Sequence, residues 1–489
     1  MIKRFTDYAS LPARAAERWP ERVALEFEGA RWTFREFDRA VHRTELILVD
    51  AGIRAGMRTV LLLENSPEYV FAQFALARIG AAFVTPNPYW TDGELRRTLA
   101  PVSAQAAIVA ARHERMAGGF PVCIRAEEIR TSPCGTEIPV ISTDHESGSG
   151  NSRRELCIPF SSGTTGLPKG VVHTHSSLAG GIGQLVRHLN LTEKDRLQIS
   201  LPLCHIFGTS MMGAAVSAGA KVTLFERFDF DQCIRQLRED AVTVWPLAGS
   251  VANRLAELPT LSRRDFPGLR FFMWGGSAVP EHLASVITSR TGIGFLCSYG
   301  MTEAFATAFN PVDSPALWRL DSPGFATVGT QIRLGVDNEI EVRSPCVASG
   351  YTTQPADAAD ETFLPGGWFR TGDVGRIDPD GRLWIVDRRK DMIKVSGFQV
   401  APAEVEIELL RHPAVTDAAV IGLPDERRGE QVVAFVVASE PVSPDDVLAD
   451  LADRLASYKL PRKVVFVDRL PRTSAGKLQR ALLRSGKEG

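Results

Sequence analysis

Residues 161–170 read SSGTTGLPKG, directly after the apolar run LCIPF at 156–160. The three glycines let backbone N–H groups come close to an anion. Ser161, Ser162, Thr164 and Thr165 add hydroxyls, Gly163 sits among them, and Lys169 adds a cation on a long stem. A strand, a glycine-rich turn and then a lysine suit a polyphosphate. The loop is not a Walker A motif, which needs Gly-Lys followed directly by Ser or Thr; here Pro168 precedes Lys169 and Gly170 follows it. An ordinary surface turn would explain the glycines and serines, but poorly explains one lysine among the hydroxyls.

Outward from this loop the chain alternates apolar runs with helical patterns. TVLLLEN (59–65), AAFVTPN (81–87), AAIVA (106–110), KVTLF (221–225) and AVTVWP (241–246) stand between stretches such as PEYVFAQFALARIGA and DFDQCIRQLRED. That rhythm predicts an α/β fold, with mostly parallel sheets covered by helices. The polar TDHESGSGNSRRE (143–155) reads as an exposed loop within one large unit. From about residue 329, short alternating runs broken by Gly, Pro and DPDG predict a small antiparallel β subdomain. The charged run DRRKDMIKVSG (387–397) marks a domain boundary, and a small α+β domain follows it.

Composition narrows the function. With 489 residues, 44% hydrophobic and 23% charged, the chain can build a large core. A formal net charge of -2 gives no basic field for nucleic acid. Seven scattered cysteines without a C-x-x-C suggest neither a zinc site nor a disulfide framework, and point to a reducing, cytoplasmic setting. The N-terminus lacks the apolar core of a signal peptide, and no run approaches the roughly 18 apolar residues of a spanning helix.

Other stretches carry weaker signals. SYGMTEA (298–304) offers Tyr299 for stacking, then Gly300, Thr302 and Glu303, the last a candidate for a divalent cation. WGGSAVP (274–280) is a glycine turn containing Gly275, Gly276 and Ser277. In WFRTGDVG (368–375), Asp373 could accept both hydroxyls of a ribose, although taken by itself the motif is better explained by an Asp capping its own turn. PRTSAGKLQR (471–480) carries Lys477, which a small domain could deliver to a charged reacting centre. His205 lies in apolar PLCHIFG, where a core histidine is the commoner outcome. His173 and His175 stand two apart with no evident third ligand, so no metal is assigned to them.

Taken in order, PFSSGTTGLPKGVVHTH, SYGMTE, WFRTGD, VDRRKDMIKVSGFQVAPAEVE and PRTSAGKLQR resemble the adenylate-forming superfamily. That group comprises acyl-CoA synthetases, peptide-synthetase adenylation domains and firefly luciferase. The texture is most similar to 4-coumarate–CoA ligases and fatty acyl-CoA synthetases, over nearly the whole chain. The resemblance implies a large N-terminal domain at 1–386, a hinge at 387–391 and a small mobile C-terminal domain at 392–489. It implies a carboxylic acid, ATP and Mg²⁺ as reactants, an acyl-adenylate intermediate, and coenzyme A as acceptor. Ser161 to Lys169 would cover the β- and γ-phosphates. Tyr299 would stack on adenine, with Gly275, Gly276 and Ser277 along the base. Thr302 would bind the α-phosphate, Glu303 would hold Mg²⁺, and Asp373 and Arg388 would hold the ribose. Lys477 would serve adenylation. Asp387 would be the hinge that replaces Lys477 by a second-step face of Lys390, Lys394, Ser396, Gly397 and Gln399. His205 would stand between acyl pocket and thiol entrance.

Three departures are visible. The stretch between ATVGT (326–330) and EIEVRS is short. Ser396 stands where 4-coumarate ligases usually carry lysine. Phe207 stands where a hydroxycinnamate pocket usually has tyrosine. The stretch HIFGTSMMGAA contains no carboxylate, so a substrate ammonium would be buried unpaired. With Phe207, Met211, Met212, Trp245 and Trp274 as pocket candidates, the expected acid is uncharged and aromatic or hydrophobic. An amine or a carrier-protein thiol remains an alternative acceptor. A non-catalytic adenylate-binding protein is the alternative of another class, against which Lys477 and Glu303 together argue. A monomer or homodimer is expected.

Overall fold

The computed structural model describes residues 7–129, 154–161, 168–247, 250–275, 279, 281–352, 361–395, 398–425, 428–452, 454–472 and 478–484. The chain forms two compact units. One gathers Met1–Leu247, Val251–Gln331 and Val342–Phe369; the other gathers Ala248–Ser250, Ile332–Glu341 and Arg370–Gly489.

The first unit is built on two large sheets. The seven-stranded sheet runs Gly350–Tyr351, Lys169–Thr174, Glu155–Ser161, Ala82–Thr85, Arg58–Leu62, Ala106–Val109, Val122–Arg125. The nine-stranded sheet runs Phe325–Ala326, Ala304–Phe309, Phe295–Met301, Phe271–Trp274, Val244–Leu247, Arg196–Ile199, Lys221–Leu224, Val23–Phe27, Ala30–Thr33. Their central strands pair in parallel and are buried along their length, as the continuous apolar runs require. The helix Pro67–Ile79 shows how sequence sets the covering layer. Ser66 caps its start by accepting from the Tyr69 N–H, Pro67 opens the first turn, and Gly80 ends it at φ 79°. Ten of its residues are buried, so it lies inside the unit and not on its surface.

One predicted strand moves. AVTVWP begins its strand only at Val244. Ala241 takes a left-handed φ of 47°, and the Thr243 hydroxyl donates to Asp195 Oδ1 at 2.7 Å, fixing the approach to the strand.

In the second unit, Leu383–Arg388 returns along Trp368–Ile377 with Asp373 opposite Arg388. The DPDG turn closes as expected: Asp378 Oδ1 accepts from the N–H groups of Asp380 and Arg382, and Gly381 sits at φ 84°. The C-terminal sheet pairs Val415–Asp425 with Gly429–Ala438 antiparallel and adds Lys463–Phe466 parallel to the latter. The helix Pro402–Leu409 buries Val405 and Leu409 in that sheet's core. Among the described residues, no helix is long and apolar enough to cross a membrane.

Candidate adenylate site

The hairpin Glu155–Ser161 and Lys169–Thr174 holds the two ends of the opening loop together, with Ser161 opposite Lys169 and Phe160 opposite Gly170. Ser162, Gly163, Thr164 and Thr165 lie outside the described residues. Gly170 has a steric reason: a Cβ there would stand 2.7 Å from Thr352 Oγ1 and 3.1 Å from Ile158 Cγ2. Its smallness lets Gly350–Tyr351 add to the hairpin as an edge strand, and the Thr352 N–H donates to Gly170 O at 2.9 Å.

Thr302 and Glu303 form the turn between Phe295–Met301 and Ala304–Phe309. His173, fully buried on the hairpin, reaches this turn: its Nε2 lies 2.8 Å from the Thr302 carbonyl and its Nδ1 3.2 Å from Ser177 Oγ. Burial lowers its pKa to about 4, so the ring is neutral at pH 7. A carbonyl only accepts, which assigns the proton to Nε2 and leaves Nδ1 to accept from the serine. His173 therefore ties the hairpin to Thr302 and Glu303, the residues predicted to meet the α-phosphate and the metal. His175 turns elsewhere, 3.7 Å from Asp7. Glu303 is buried, and the Tyr351 hydroxyl donates to its Oε1 at 3.0 Å. Lys169 Nζ lies 5.3 Å from the centre of the same tyrosine ring.

Tyr299 and Gly300 lie near the end of the preceding strand, which closes at Met301; a Cβ on Gly300 would meet Phe305 O at 2.5 Å. Gly275 follows Phe271–Trp274, and a Cβ there would lie 3.0 Å from Ser298 Oγ and 3.5 Å from the Phe207 ring. Ser298 in turn donates to Trp274 O at 2.8 Å. Gly275, Phe207 and Ser298 are thus neighbours. Gly276 and Ser277 lie outside the described residues. His205 precedes the helix Ile206–Ala218 in extended conformation, half-buried, with its pKa lowered by desolvation.

The predicted acyl residues divide. Phe207 keeps accessible surface beside Gly275. Met211 and Met212 are fully buried in the core. Trp245 and Trp274 are at most 1% exposed and pack in a second core cluster, Trp245 against Phe266 and Trp274 against Phe295. Register explains it: Trp245 pairs with Phe272 and Leu247 with Trp274, so all four point to one face of the sheet, which is packed over.

In the second unit, Arg388 Nε stands 3.1 Å from Asp373 Oδ1. Asp387 is buried; its Oδ1 accepts from the Arg388 N–H at 2.6 Å and its Oδ2 from the Ala403 N–H at 2.8 Å. Burial pushes its carboxyl pKa up. The same cause lowers that of Lys390, while Lys394 is exposed. Gln399 belongs to the strand Phe398–Val400; Ser396, Gly397 and Lys477 lie outside the described residues. Flanking Lys477, Arg472 and Leu478 form an isolated antiparallel bridge. Arg480 Nη2 binds both oxygens of Glu406, at 2.7 and 2.8 Å, and Arg484 reaches Asp391 at 3.0 Å.

Tyr351, His173 as a link, and the Glu406–Arg480 pair escape sequence reading. Their partners lie 48, 129 and 74 residues away, beyond any local spacing rule.

The hairpin bearing Lys169 and the Thr302–Glu303 turn bound to it lie in the first unit, and the Asp373–Arg388 pair lies in the second. Residues 12–352 match the family model for AMP-binding enzymes, and residues 404–477 match the AMP-binding enzyme C-terminal domain. The chain belongs to the AMP-binding enzyme family and is an AMP-forming ligase of the acyl-CoA synthetase type. It is 31% identical to 4-coumarate–CoA ligase CCL1 of Humulus lupulus, over 93% of this chain and 88% of that one. The fold of ATP-bound MatB from Rhodopseudomonas palustris superposes with a TM-score of 0.88 at 27% identity, over 98% of both chains. The O-succinylbenzoate coenzyme A synthetase MenE from Bacillus subtilis, in complex with ATP and magnesium ion, gives 0.84 at 29% identity, over 97% of this chain and 98% of that one.

Proposed function

We propose that this protein joins an uncharged aromatic or hydrophobic carboxylic acid to coenzyme A through an acyl-adenylate. In the first step a carboxylate oxygen attacks the α-phosphorus of ATP, and the bond to the β-phosphate oxygen breaks to release pyrophosphate. In the second, the coenzyme A sulfur attacks the acyl carbon and AMP leaves with the bonding electrons. Catalysis is mainly alignment and charge neutralisation.

The observation that carries the reading is the Thr302–Glu303 turn, bound through His173 to the hairpin that bears Lys169. Lys169 and the loop hydroxyls neutralise the phosphates that leave. Thr302 meets the α-phosphate, Tyr299 the base, and Asp373 with Arg388 the ribose. Glu303 fits Mg²⁺, which takes one or two carboxylates and completes its sphere with phosphate and water. Bound there, the ion would offset charge on the phosphates. Lys477 supports the first step. Rotation about Asp387 then brings Lys390, Lys394, Ser396, Gly397 and Gln399 to the second, with neutral His205 beside the incoming thiol. Phe207 borders the acyl group, and no carboxylate among the named pocket residues would hold a substrate ammonium. The six described cysteines are all free thiols, which supports a reducing, cytoplasmic setting.

Exchange of labelled pyrophosphate into ATP across a panel of acids tests the first step. Mass spectrometry of products with coenzyme A, a carrier protein or amines offered in turn tests the second. Absence of exchange with every acid overturns the reading; exchange with an amide as the sole product overturns the acceptor.

A further inference from the structure

We propose that Tyr351 is a positioning residue for magnesium-bound ATP, holding Glu303 with its hydroxyl and seating Lys169 on its ring. The inference rests on the ATP reading above and adds a residue to it.

Tyr351 is fastened to the phosphate hairpin by backbone. Gly350 and Tyr351 lie opposite Val172 and Val171, the Ser349 N–H donates to Val172 O at 2.8 Å, and the Thr352 N–H donates to Gly170 O at 2.9 Å. The ring is steadied edge-on by Phe363 at 5.6 Å. From this fixed position one side chain meets two opposite charges. Its hydroxyl donates to Glu303 Oε1, a bond that a buried carboxylate needs. Its face lies 5.3 Å from Lys169 Nζ, within cation–π range.

Among the described residues, no ion pair joins Lys169 to Glu303. The phenol stands against both and satisfies each separately. A direct pair would consume the two charges that a metal–triphosphate needs: a cation for phosphate oxygen and an anion for the metal. The tyrosine keeps them apart and oriented. Its bond to Oε1 also orients the carboxylate, as outer-sphere hydrogen bonds do for metal ligands.

Two variants separate the two contacts. Tyr351→Phe removes the hydroxyl and keeps the ring. Tyr351→Leu removes both. ATP binding is measured by calorimetry without acid substrate, with and without Mg²⁺; the ratio of the two affinities reads metal coupling and needs no turnover. For Tyr351→Phe the coupling falls about tenfold, the lower end for loss of an outer-sphere partner, while metal-free ATP affinity is unchanged. For Tyr351→Leu the metal-free affinity falls as well, because Lys169 loses its seat. In a Glu303→Gln background, Tyr351→Phe produces no further loss. Unchanged coupling in Tyr351→Phe overturns the proposal, and so does a full additional loss in the Glu303→Gln background. Should Tyr351→Leu not fold, the phenylalanine variant and the double variant still decide. Failure of the wild-type protein to bind magnesium–ATP sinks the ATP reading itself, a different outcome from a wild type that binds beside an indifferent Tyr351→Phe.

Discussion

Replacing Arg480 by methionine should destabilise the second unit in a pH-dependent way. Arg480 and Glu406 are 17% and 15% exposed at their side chains, and Glu406 Oε1 also accepts from the Val420 N–H at 2.7 Å. Removing one partner of a buried pair leaves the other charge uncompensated, at a cost of about 3 kcal/mol, the lower end because both side chains still reach water. That corresponds to roughly 10 °C in melting temperature for a unit of this size. Burial already holds the Glu406 carboxyl above its ordinary value, while Arg480 pulls it down. Between the unfolded and folded values the native state carries more protons, so this group's contribution to stability falls as pH rises through that window. Without Arg480 the folded value climbs further and the window widens upward. The variant's deficit is therefore smaller at pH 5 than at pH 8. Adding Glu406→Gln should recover more than half of the loss at pH 8, since no charge is then stranded. Unfolding followed by amide exchange in Pro402–Leu409 and Val415–Asp425 reads the unit locally. Equal deficits at both pH values, with no recovery in the double variant, would refute the argument.

Lys477→Ala should abolish pyrophosphate exchange yet leave thioester formation from preformed acyl-adenylate largely intact; equal loss of both steps removes its assigned role. His173→Leu cuts the link to the Thr302 carbonyl, and a stranded buried acceptor costs about 1–3 kcal/mol; steady-state kinetics should show a higher KM for ATP with little change in KM for the acid. Phe207→Ala should alter the ranking of the acid panel, whereas Trp245→Phe should lower melting temperature and leave the ranking alone. With its pKa lowered, His205 stays neutral until pH falls below the ordinary imidazole value of about 6.5. The thioester step should therefore lose rate only on that acid side, and a His205→Phe enzyme with the same acid limb would count against it.

Much of this fold is legible because its parallel strands are buried on both faces and read as continuous apolar runs, and because caps such as Ser66–Pro67 and Gly80 punctuate the helices locally. The candidate site is open to sequence reading where its residues fall in one short stretch, as at 298–304. It was not legible where chemistry depends on residues that meet only through topology. The sequence marks Glu303 but not the tyrosine that holds it, and marks His173 without showing what it touches. Trp245 and Trp274 illustrate the opposite error of emphasis: an aromatic beside a motif suggests a pocket, yet strand alternation decides which face it serves, and the register places both in the interior.

The bridge between Arg472 and Leu478 has a practical consequence. Arg472 is held from outside the intervening segment by Asp417 at 2.8 Å, and the Gln479 N–H donates to Pro471 O at 2.9 Å. The residues at either end of 473–477 are therefore tied to one another and to Asp417. Exchanging Lys477 should silence adenylation without unravelling its surroundings. The silenced protein would still load nucleotide and acid, which makes it a ready affinity trap for fishing the native substrate from cell extracts.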